Sequence, residues 1–289
     1  MTGDGCSRRA LLAGLAGVVL APAARARPLD RLAAAGTLSI AVYRDFAPWS
    51  WRDAGGTLKG IDVDLGTALA AALGLKPQFI DFLADESVED DLRNMVWRGP
   101  LIGGSAADVM MHVPTDRRFQ LQVDRCVIGA AYARERFAVA CGPGADCEVP
   151  PPQWAGKRLA AELDSIPDIW LSGSFGGVLR GQVSHHYSGA AAMAALIDGK
   201  ADVAMASTAQ VEHALANNAA PHIKRRVGPI PALPSPGWDV GLAVKDDSRD
   251  LADALEAIIE RFAGDGTLDR IFAPYGVSRM APLGNGERG

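Results

Sequence analysis

The sequence predicts an α/β protein of two lobes joined by two chain crossings, and three observations lead to it. The chain has 289 residues, 48% hydrophobic and 22% charged, which is an ordinary globular balance for one large domain or two lobes. Short apolar runs alternate with amphipathic segments in two separate stretches, as in sheets covered by helices. Proline-rich segments at 149–152 and 229–236 interrupt this alternation. Ligands of such open sheets bind at the carboxyl ends of strands, so the expected site is the interlobe cleft.

The first 26 residues have the features of an export signal. Ser7-Arg8-Arg9 precedes an apolar run over 10–21, and Ala24-Arg25-Ala26 supplies a cleavage site. The paired arginines indicate the twin-arginine route, with a general secretory signal as the alternative. The run is shorter than the roughly 18 apolar residues that a spanning helix needs. We therefore expect a periplasmic protein whose mature chain does not span a membrane.

The first α/β stretch predicts lobe 1 over residues 37–133, completed by 239–280. Apolar runs predict strands at 38–42, 78–82 and 107–113, the last of them ended by Pro114. Between the first two strands, an apolar stripe at helical spacing predicts a helix with Asp62 as its N-cap and Gly74 at its end.

The second stretch predicts lobe 2 over residues 137–236. In order, the pattern indicates a strand, two helices and a strand at 158–163, 167–171, 190–197 and 202–206. Four prolines within 229–236 exclude a helix or a central strand there, and they predict the return crossing. A strand at 240–244 and a helix at 248–262 then follow.

Cys126, Cys141 and Cys147 remain after the predicted cleavage. An oxidising compartment permits disulfides, and a Gly/Pro-rich loop lies between Cys141 and Cys147, so we expect these two to be bridged. Cys126 has apolar neighbours and is expected to be a small buried side chain.

Several short motifs, in one order along nearly the whole mature chain, resemble the amino-acid type of periplasmic solute-binding protein, family 3. The resemblance implies a type II periplasmic-binding fold that closes on its ligand like a hinge. The matching segments are Phe46-Ala47-Pro48-Trp49, Gly60-Ile61-Asp62-Val63-Asp64-Leu65, Thr115-Asp116-Arg117-Arg118, Gly199-Lys200-Ala201-Asp202-Val203 and the closing segment from Asp265 to Gly276.

The resemblance also implies a ligand site. Phe46 and Trp49 match positions that stack on the ligand, although they could instead plug the edge of the sheet. Arg118 matches an arginine that clamps a carboxylate with its bidentate fork, a solvated surface arginine being the alternative. Val113, Thr115, Ser165 and Ser207 complete the expected cleft.

Two of these positions depart from the family pattern. Members that bind amino acids usually carry an acid, which pairs with the ammonium of the ligand, where this chain has Ser207. Val113 stands where the family often has Ser or Thr. A buried cation without a counter-charge is unfavourable, so the sequence argues against an ordinary amino acid as the ligand.

Other segments resemble a narrower group, the MxaJ/XoxJ-type proteins associated with quinoprotein methanol and alcohol dehydrogenases. For this group the resemblance implies an accessory role toward the dehydrogenase or its cytochrome c. The alternative is a receptor that delivers a small, carboxylate-bearing solute to an ABC permease. The segments are Asp90–Asn94, Trp97–Pro100, Ala107–Pro114 and Ser172–Arg180.

Nothing in the sequence indicates an enzyme. A catalyst needs a nucleophile with a base, paired acids or a metal, and the only histidine cluster is His185-His186, whose side chains point to opposite faces of a strand. No set of Cys and His has the spacing of zinc ligands, and no cofactor is expected. A net charge of −5 without a basic cluster argues against nucleic acid as a partner.

Overall fold

The computed structural model describes residues 28–100, 103–218 and 220–284. The expected export signal, residues 1–26, and its cleavage site lie outside these residues. In chain order the strands are β1 (Thr37–Tyr43), β2 (Asp45–Phe46), β3 (Ser50–Arg52), β4 (Leu58–Lys59), β5 (Lys76–Phe82), β6 (Val109–Pro114), β7 (Cys126–Glu135), β8 (Phe137–Cys141), β9 (Leu159–Glu162), β10 (Val183–His186), β11 (Val203–Ser207), β12 (Lys224–Arg225) and β13 (Trp238–Lys245). The α-helices are α1 (Pro28–Ala35), α2 (Ile61–Ala72), α3 (Val88–Leu92), α4 (Arg117–Gln122), α5 (Ile166–Gly173), α6 (Gly189–Ile197), α7 (Thr208–Asn217), α8 (Arg249–Gly264) and α9 (Thr267–Phe272).

Two five-stranded sheets form the two lobes, and they share one plan. The lobe 1 sheet has the order β5-β1-β6-β13-β7, and the lobe 2 sheet has the order β10-β9-β11-β8-β12. In each sheet the first three strands are parallel and the fourth is antiparallel. That fourth strand is the one that arrives from the other lobe. The fold is therefore the predicted two-lobed α/β architecture.

Both crossings meet at one point. The chain leaves lobe 1 at Glu135 and enters β8 at Phe137, and it returns through the proline-rich segment to Trp238, which pairs with Glu135. Beside this pair, an Arg134 guanidinium nitrogen lies 2.7 Å from a carboxylate oxygen of Asp239, and both side chains are buried. We call the segment around Glu135 and Trp238 the hinge.

The start of α2 differs from the prediction. The N-cap residue is Gly60, and Asp62 is a buried residue within the helix. Gly60 has φ 136°, and a Cβ atom there would lie 2.2 Å from the carbonyl oxygen of Trp49, so only glycine fits. The N-cap therefore lies two residues earlier than predicted, and Asp62 is a buried residue inside the helix.

Serine residues cap the helices of lobe 2. Ser165, Ser188 and Ser207 each accept a hydrogen bond from a backbone N–H in the first turn of α5, α6 and α7. Within the same lobe, the structure joins Cys141 to Cys147 by a disulfide, the pair that the sequence selects. Cys126 is a free, partly buried cysteine, and burial raises the pKa of its thiol to about 12.

Two β-bulges interrupt the strands around β13. Gly241 and Ala243 pair with Val113 and Met110, so β6 carries one extra residue between them, and His112 lies there with φ 62°. On the other side, β7 bulges around Ala130, which has φ 49°. The first bulge decides which side chains of β6 face the interlobe region. Among the helices described, none is long and apolar enough to cross a membrane.

Candidate functional site

The lobes contact each other through α7, the helix that follows β11. A ring nitrogen of His213 lies 2.7 Å from the carbonyl oxygen of Tyr275, and the Ser278 N–H donates to a carboxylate oxygen of Glu212 at 2.8 Å. Gly276 (φ 69°) lies so close to Ala216 that a Cβ atom there would clash with its side chain. These contacts hold the C-terminal part of the chain against lobe 2.

The aromatic pair Phe46 and Trp49 lies at this interface, but its rings pack on a residue of the protein itself. The ring centroid of His112 is 4.8 Å from that of Phe46 and 4.4 Å from that of Trp49. Trp49 is only 1% exposed, and it also packs edge-on against Phe272 at 5.6 Å. The two aromatics thus surround an imidazole in this structure.

Asp62 joins this group from α2. Its Oδ1 accepts a hydrogen bond of 2.7 Å from the hydroxyl of Tyr132, whose pKa is raised by burial and by the nearby carboxylate. Its Oδ2 lies 3.4 Å from Nδ1 of His112. The predicted role of Asp62 as a helix cap is therefore wrong, and its carboxylate belongs to the buried polar group.

Glu135 supplies a second buried carboxylate from the hinge. The backbone N–H of Ala209 in α7 lies 3.4 Å from its Oε1, and Ser207 also hydrogen-bonds to it. Burial raises the pKa of Glu135 to about 7, and these hydrogen bonds offset only part of that effect. An acid therefore lies beside Ser207, where the sequence indicated that none was present.

Several buried polar atoms of this region have no hydrogen-bond partner among the residues that the structure describes. They come from both lobes: Trp49 Nε1, Asp62 Oδ2, His112 Nδ1, Glu135 Oε2 and Gln210 Nε2. Each such atom is unfavourable when it is left unpaired, and native structures contain few of them. We call Phe46, Trp49, Asp62, His112, Tyr132, Glu135 and Ser207 the interlobe cluster.

The other residues assigned to the cleft have different surroundings. Val113 is fully buried in the apolar cluster that contains Met110 and Ala243, on the sheet face opposite Met111. This placement corrects the expectation that Val113 faces the cleft. Its cause is the bulge at His112, because the extra residue reverses the alternation of side chains that follows it.

Thr115, Arg118 and Ser165 also lie outside the interlobe cluster. Thr115 is buried next to Asp239 and lines a lobe 1 cavity of about 370 Å³ along β7 and α8. Arg118 is exposed on α4, and its side chain has no ion pair within the described part of the chain. Ser165 caps α5 and donates to the carbonyl of Glu162.

The histidine pair singled out in the sequence, His185-His186, lies outside the interlobe cluster. His185 Nδ1 lies 3.0 Å from Asp168, whereas His186 contacts Ser184 at 3.1 Å, so the adjacent histidines have separate partners. No group of three or more potential metal ligands occurs in the chain segments that the structure covers.

Sequence reasoning missed four members of the interlobe cluster: Asp62, His112, Tyr132 and Glu135. Glu135 is far from Ser207 in the sequence, and only the crossing brings the two together. His112 enters through a bulge, which hydrophobic alternation does not reveal. The one available signal was the charged triplet Arg134-Glu135-Arg136 between two apolar runs, an arrangement that marks a point where the chain leaves a sheet.

The comparisons with known proteins agree with this geometry. Residues 38–94 match the model of the bacterial extracellular solute-binding proteins, family 3. The structure is similar to an ancestral cationic amino acid solute-binding protein, AncCDT-1, with a TM-score of 0.67, 17% identity and coverage of 86% of this chain and 99% of that one. The chain has the fold of the two-lobe periplasmic solute-binding proteins.

Two further structures share this fold. An amino-acid ABC transporter substrate-binding protein from Streptococcus pneumoniae, bound to L-arginine, has a TM-score of 0.61, 18% identity and coverage of 86% of this chain and 97% of its own. A second structure of AncCDT-1, named as a precursor of cyclohexadienyl dehydratase, has a TM-score of 0.60, 17% identity and coverage of 87% and 100%. The search of curated proteins found no match.

Proposed function

We propose that this protein is the receptor of an ABC importer for a small solute that carries an ammonium group, and that it works in the periplasm after export by its N-terminal signal. The observation that carries the proposal is the buried carboxylate of Glu135, which faces Ser207 of the other lobe at the hinge. The missing acid at position 207 argued against an amino acid as the ligand. The carboxylate of Glu135 beside Ser207 instead favours a ligand that carries an ammonium group.

The electrostatic reason is direct. A buried carboxylate is unfavourable unless a cation or several hydrogen-bond donors compensate its charge. Glu135 Oε2 has no hydrogen bond of good geometry within the described residues, and the side chains that face this carboxyl group, Ser207 and Trp49, carry no charge. A solute ammonium next to Oε2 would pair with it and favour the ionised carboxylate.

The relatives support the class of function. The solved structures that share the fold include substrate-binding proteins of amino-acid ABC transporters, and several of the similar structures hold arginine. In our proposal Arg118, exposed and free of ion pairs in the described chain, remains the group that meets a solute carboxylate when the lobes close on it.

Calorimetric titration of the mature protein tests the proposal. The panel contains amino acids and matched carboxylic acids that lack the ammonium group. We expect micromolar binding of at least one amine-bearing solute, and a loss of at least about tenfold (about 1.4 kcal/mol) for Glu135→Gln. Binding should also weaken from pH 8 to pH 5.5, because protonation removes the charge of Glu135. Glu256 of α8, whose carboxylate accepts a hydrogen bond from the Ala130 N–H and is not part of the interlobe cluster, provides the matched control, and Glu256→Gln should bind like the wild type.

If no amine-bearing solute binds, a second function is favoured, the accessory role toward a quinoprotein alcohol dehydrogenase or its cytochrome c. Leu163, Ile169 and Tyr187, at the ends of β9 and β10 and on α5, are 54%, 62% and 85% exposed, and such apolar side chains suit a protein partner. If no amine-bearing solute binds the folded protein, binding of purified dehydrogenase, reduced by Ile169→Ser, becomes the decisive measurement.

A further inference from the structure

His112 occupies the space between the two aromatic rings that the sequence assigns to a ligand. Its imidazole contacts Phe46 edge-on and Trp49 at a tilt, with ring centroids 4.8 Å and 4.4 Å away. The Asp62 carboxylate closes the third side, 3.4 Å from Nδ1. This pocket of two aromatic rings and one carboxylate therefore surrounds a planar, nitrogen-bearing ring.

The local backbone holds His112 there at a cost. A non-glycine residue with φ 62° is uncommon. Here it lies in the bulge of β6, opposite β13. Without the extra residue, the strand alternation would turn position 112 toward the opposite face, where Met110 lies. The bulge thus directs the imidazole to the interlobe cluster.

The imidazole also fits the pocket incompletely. His112 is 7% exposed, yet its Nδ1 has no hydrogen-bond partner in the described residues, and neither has the facing Oδ2 of Asp62. The two atoms are 3.4 Å apart, an ion-pair distance without hydrogen-bond geometry. A solute group that hydrogen-bonds directly to Oδ2 would replace this long contact by a shorter one.

We propose that His112 is an internal occupant of the ligand site, which a planar, nitrogen-bearing group of the solute displaces when it binds. This inference rests on the proposed function and adds to it the kind of group that enters the aromatic pocket. In the ligand-free protein the imidazole keeps Phe46 and Trp49 packed. A solute has to displace it, so the affinity is reduced by the free energy of that contact.

Replacement of the ring by glycine tests the inference. His112→Gly fits the positive φ and leaves a space of the size of an imidazole between Phe46, Trp49 and Asp62. We expect free imidazole at millimolar concentration to raise the melting temperature of this variant by several degrees through binding to the native state, and to leave the wild type unchanged. His112→Asn, which also tolerates positive φ but fills part of the space, should respond more weakly.

The matched control is Ala130→Gly. Ala130 lies in the other bulge with φ 49° and is 4% exposed, so this variant relieves a similar backbone conformation without opening a ring-sized space. It should show no response to imidazole. An equal response of the wild type, no response of a folded His112→Gly, or a His112→Gly that stays unfolded with imidazole present would each overturn the inference.

This result is separate from the test of the solute. Imidazole binding to His112→Gly does not require Glu135, and the Glu135→Gln substitution in the same background should leave it unchanged. Failure of the proposed function would instead appear as a wild type that binds no amine-bearing solute, whatever the imidazole experiment gives.

Discussion

Lobe 1 and lobe 2 have the same strand order, but their cores contain different side chains. The larger core of lobe 1 consists mainly of Leu, Ile, Val and aromatic residues, with Trp49 and Tyr132 beneath the interlobe surface. In lobe 2, alanine provides nine of the 13 buried residues on the face covered by α6. Small side chains allow a helix to lie close to the sheet, yet they remove less apolar surface from water.

The opposite face of the lobe 2 sheet buries larger side chains, which compensate for the small apolar area of the alanine-rich face. Trp154 and Trp170 are each 1% exposed there, next to the disulfide between Cys141 and Cys147. The Nε1–H group of Trp154 donates to the carbonyl oxygen of Asp146, inside the loop that the disulfide closes. Lobe 2 thus relies on two tryptophans and a covalent link, whereas lobe 1 relies on a broad apolar core that also supports the polar site.

Removal of one tryptophan from each lobe should give the largest effects. Trp49→Ala and Trp154→Ala should each destabilise the protein by about 3–5 kcal/mol, because both side chains are almost completely buried. Only Trp49→Ala should also weaken solute binding, since Trp154 lies in the far core of lobe 2. Urea unfolding and calorimetric titration measure the two effects. Equal loss of binding in both variants would contradict the separation of the lobes.

The pH dependence of stability should separate the hinge from the rest of lobe 1. Burial raises the pKa of Glu135 from 4.5 to about 7, so the native state holds a proton that the unfolded chain releases. The stabilisation by the protonated carboxyl is complete below about pH 4.5 and is lost as the pH rises through 7, in total about 3 kcal/mol. Urea unfolding between pH 4.5 and 8 should therefore show a steeper loss for the wild type than for Glu135→Gln.

Loss of the disulfide should have a smaller effect, confined to lobe 2. Closure of so short a loop stabilises the folded state by about 2 kcal/mol in the chain-entropy description. Cys141→Ser with Cys147→Ser should therefore lower the free energy of unfolding by about that amount and leave binding at the hinge intact. Cys126→Ser, at the free cysteine of lobe 1, is the control. If the double variant loses solute binding, the loop has a role at the cleft that its position does not indicate.

Much of the sheet framework could be predicted because buried parallel strands appear as apolar runs. The strands over Leu38–Val42 and Val240–Val244 lie within β1 and β13, and the predicted C-terminal helix corresponds to α8. Strands β7 and β8 were not predicted, although apolar runs at 126–133 and 137–141 lie on either side of the charged triplet Arg134-Glu135-Arg136. The structure accommodates Arg134 by a buried ion pair with Asp239, a partner that is distant in the sequence.

The site could be predicted only where it depends on local motifs. The motif Phe46-Ala47-Pro48-Trp49 located one wall of the interlobe cluster. The predicted position of Val113 was wrong. A single extra residue in β6 turns Val113 to the opposite face of the sheet and brings His112 to the interlobe cluster in its place. The acid beside Ser207 is Glu135 of the hinge. It is distant in the sequence, so a count of residues from the Gly199 motif could not find it.

The shared strand order also has a consequence for the order in which the lobes can form. The lobe 2 sheet uses one continuous stretch of chain, from Phe137 to Arg225. The lobe 1 sheet requires β13 between β6 and β7, so it lacks a central strand until the chain has reached Lys245. During synthesis, lobe 2 can therefore complete its sheet while lobe 1 is still divided. Both crossings, and with them the pairing of Glu135 with Trp238, are established only in the last step.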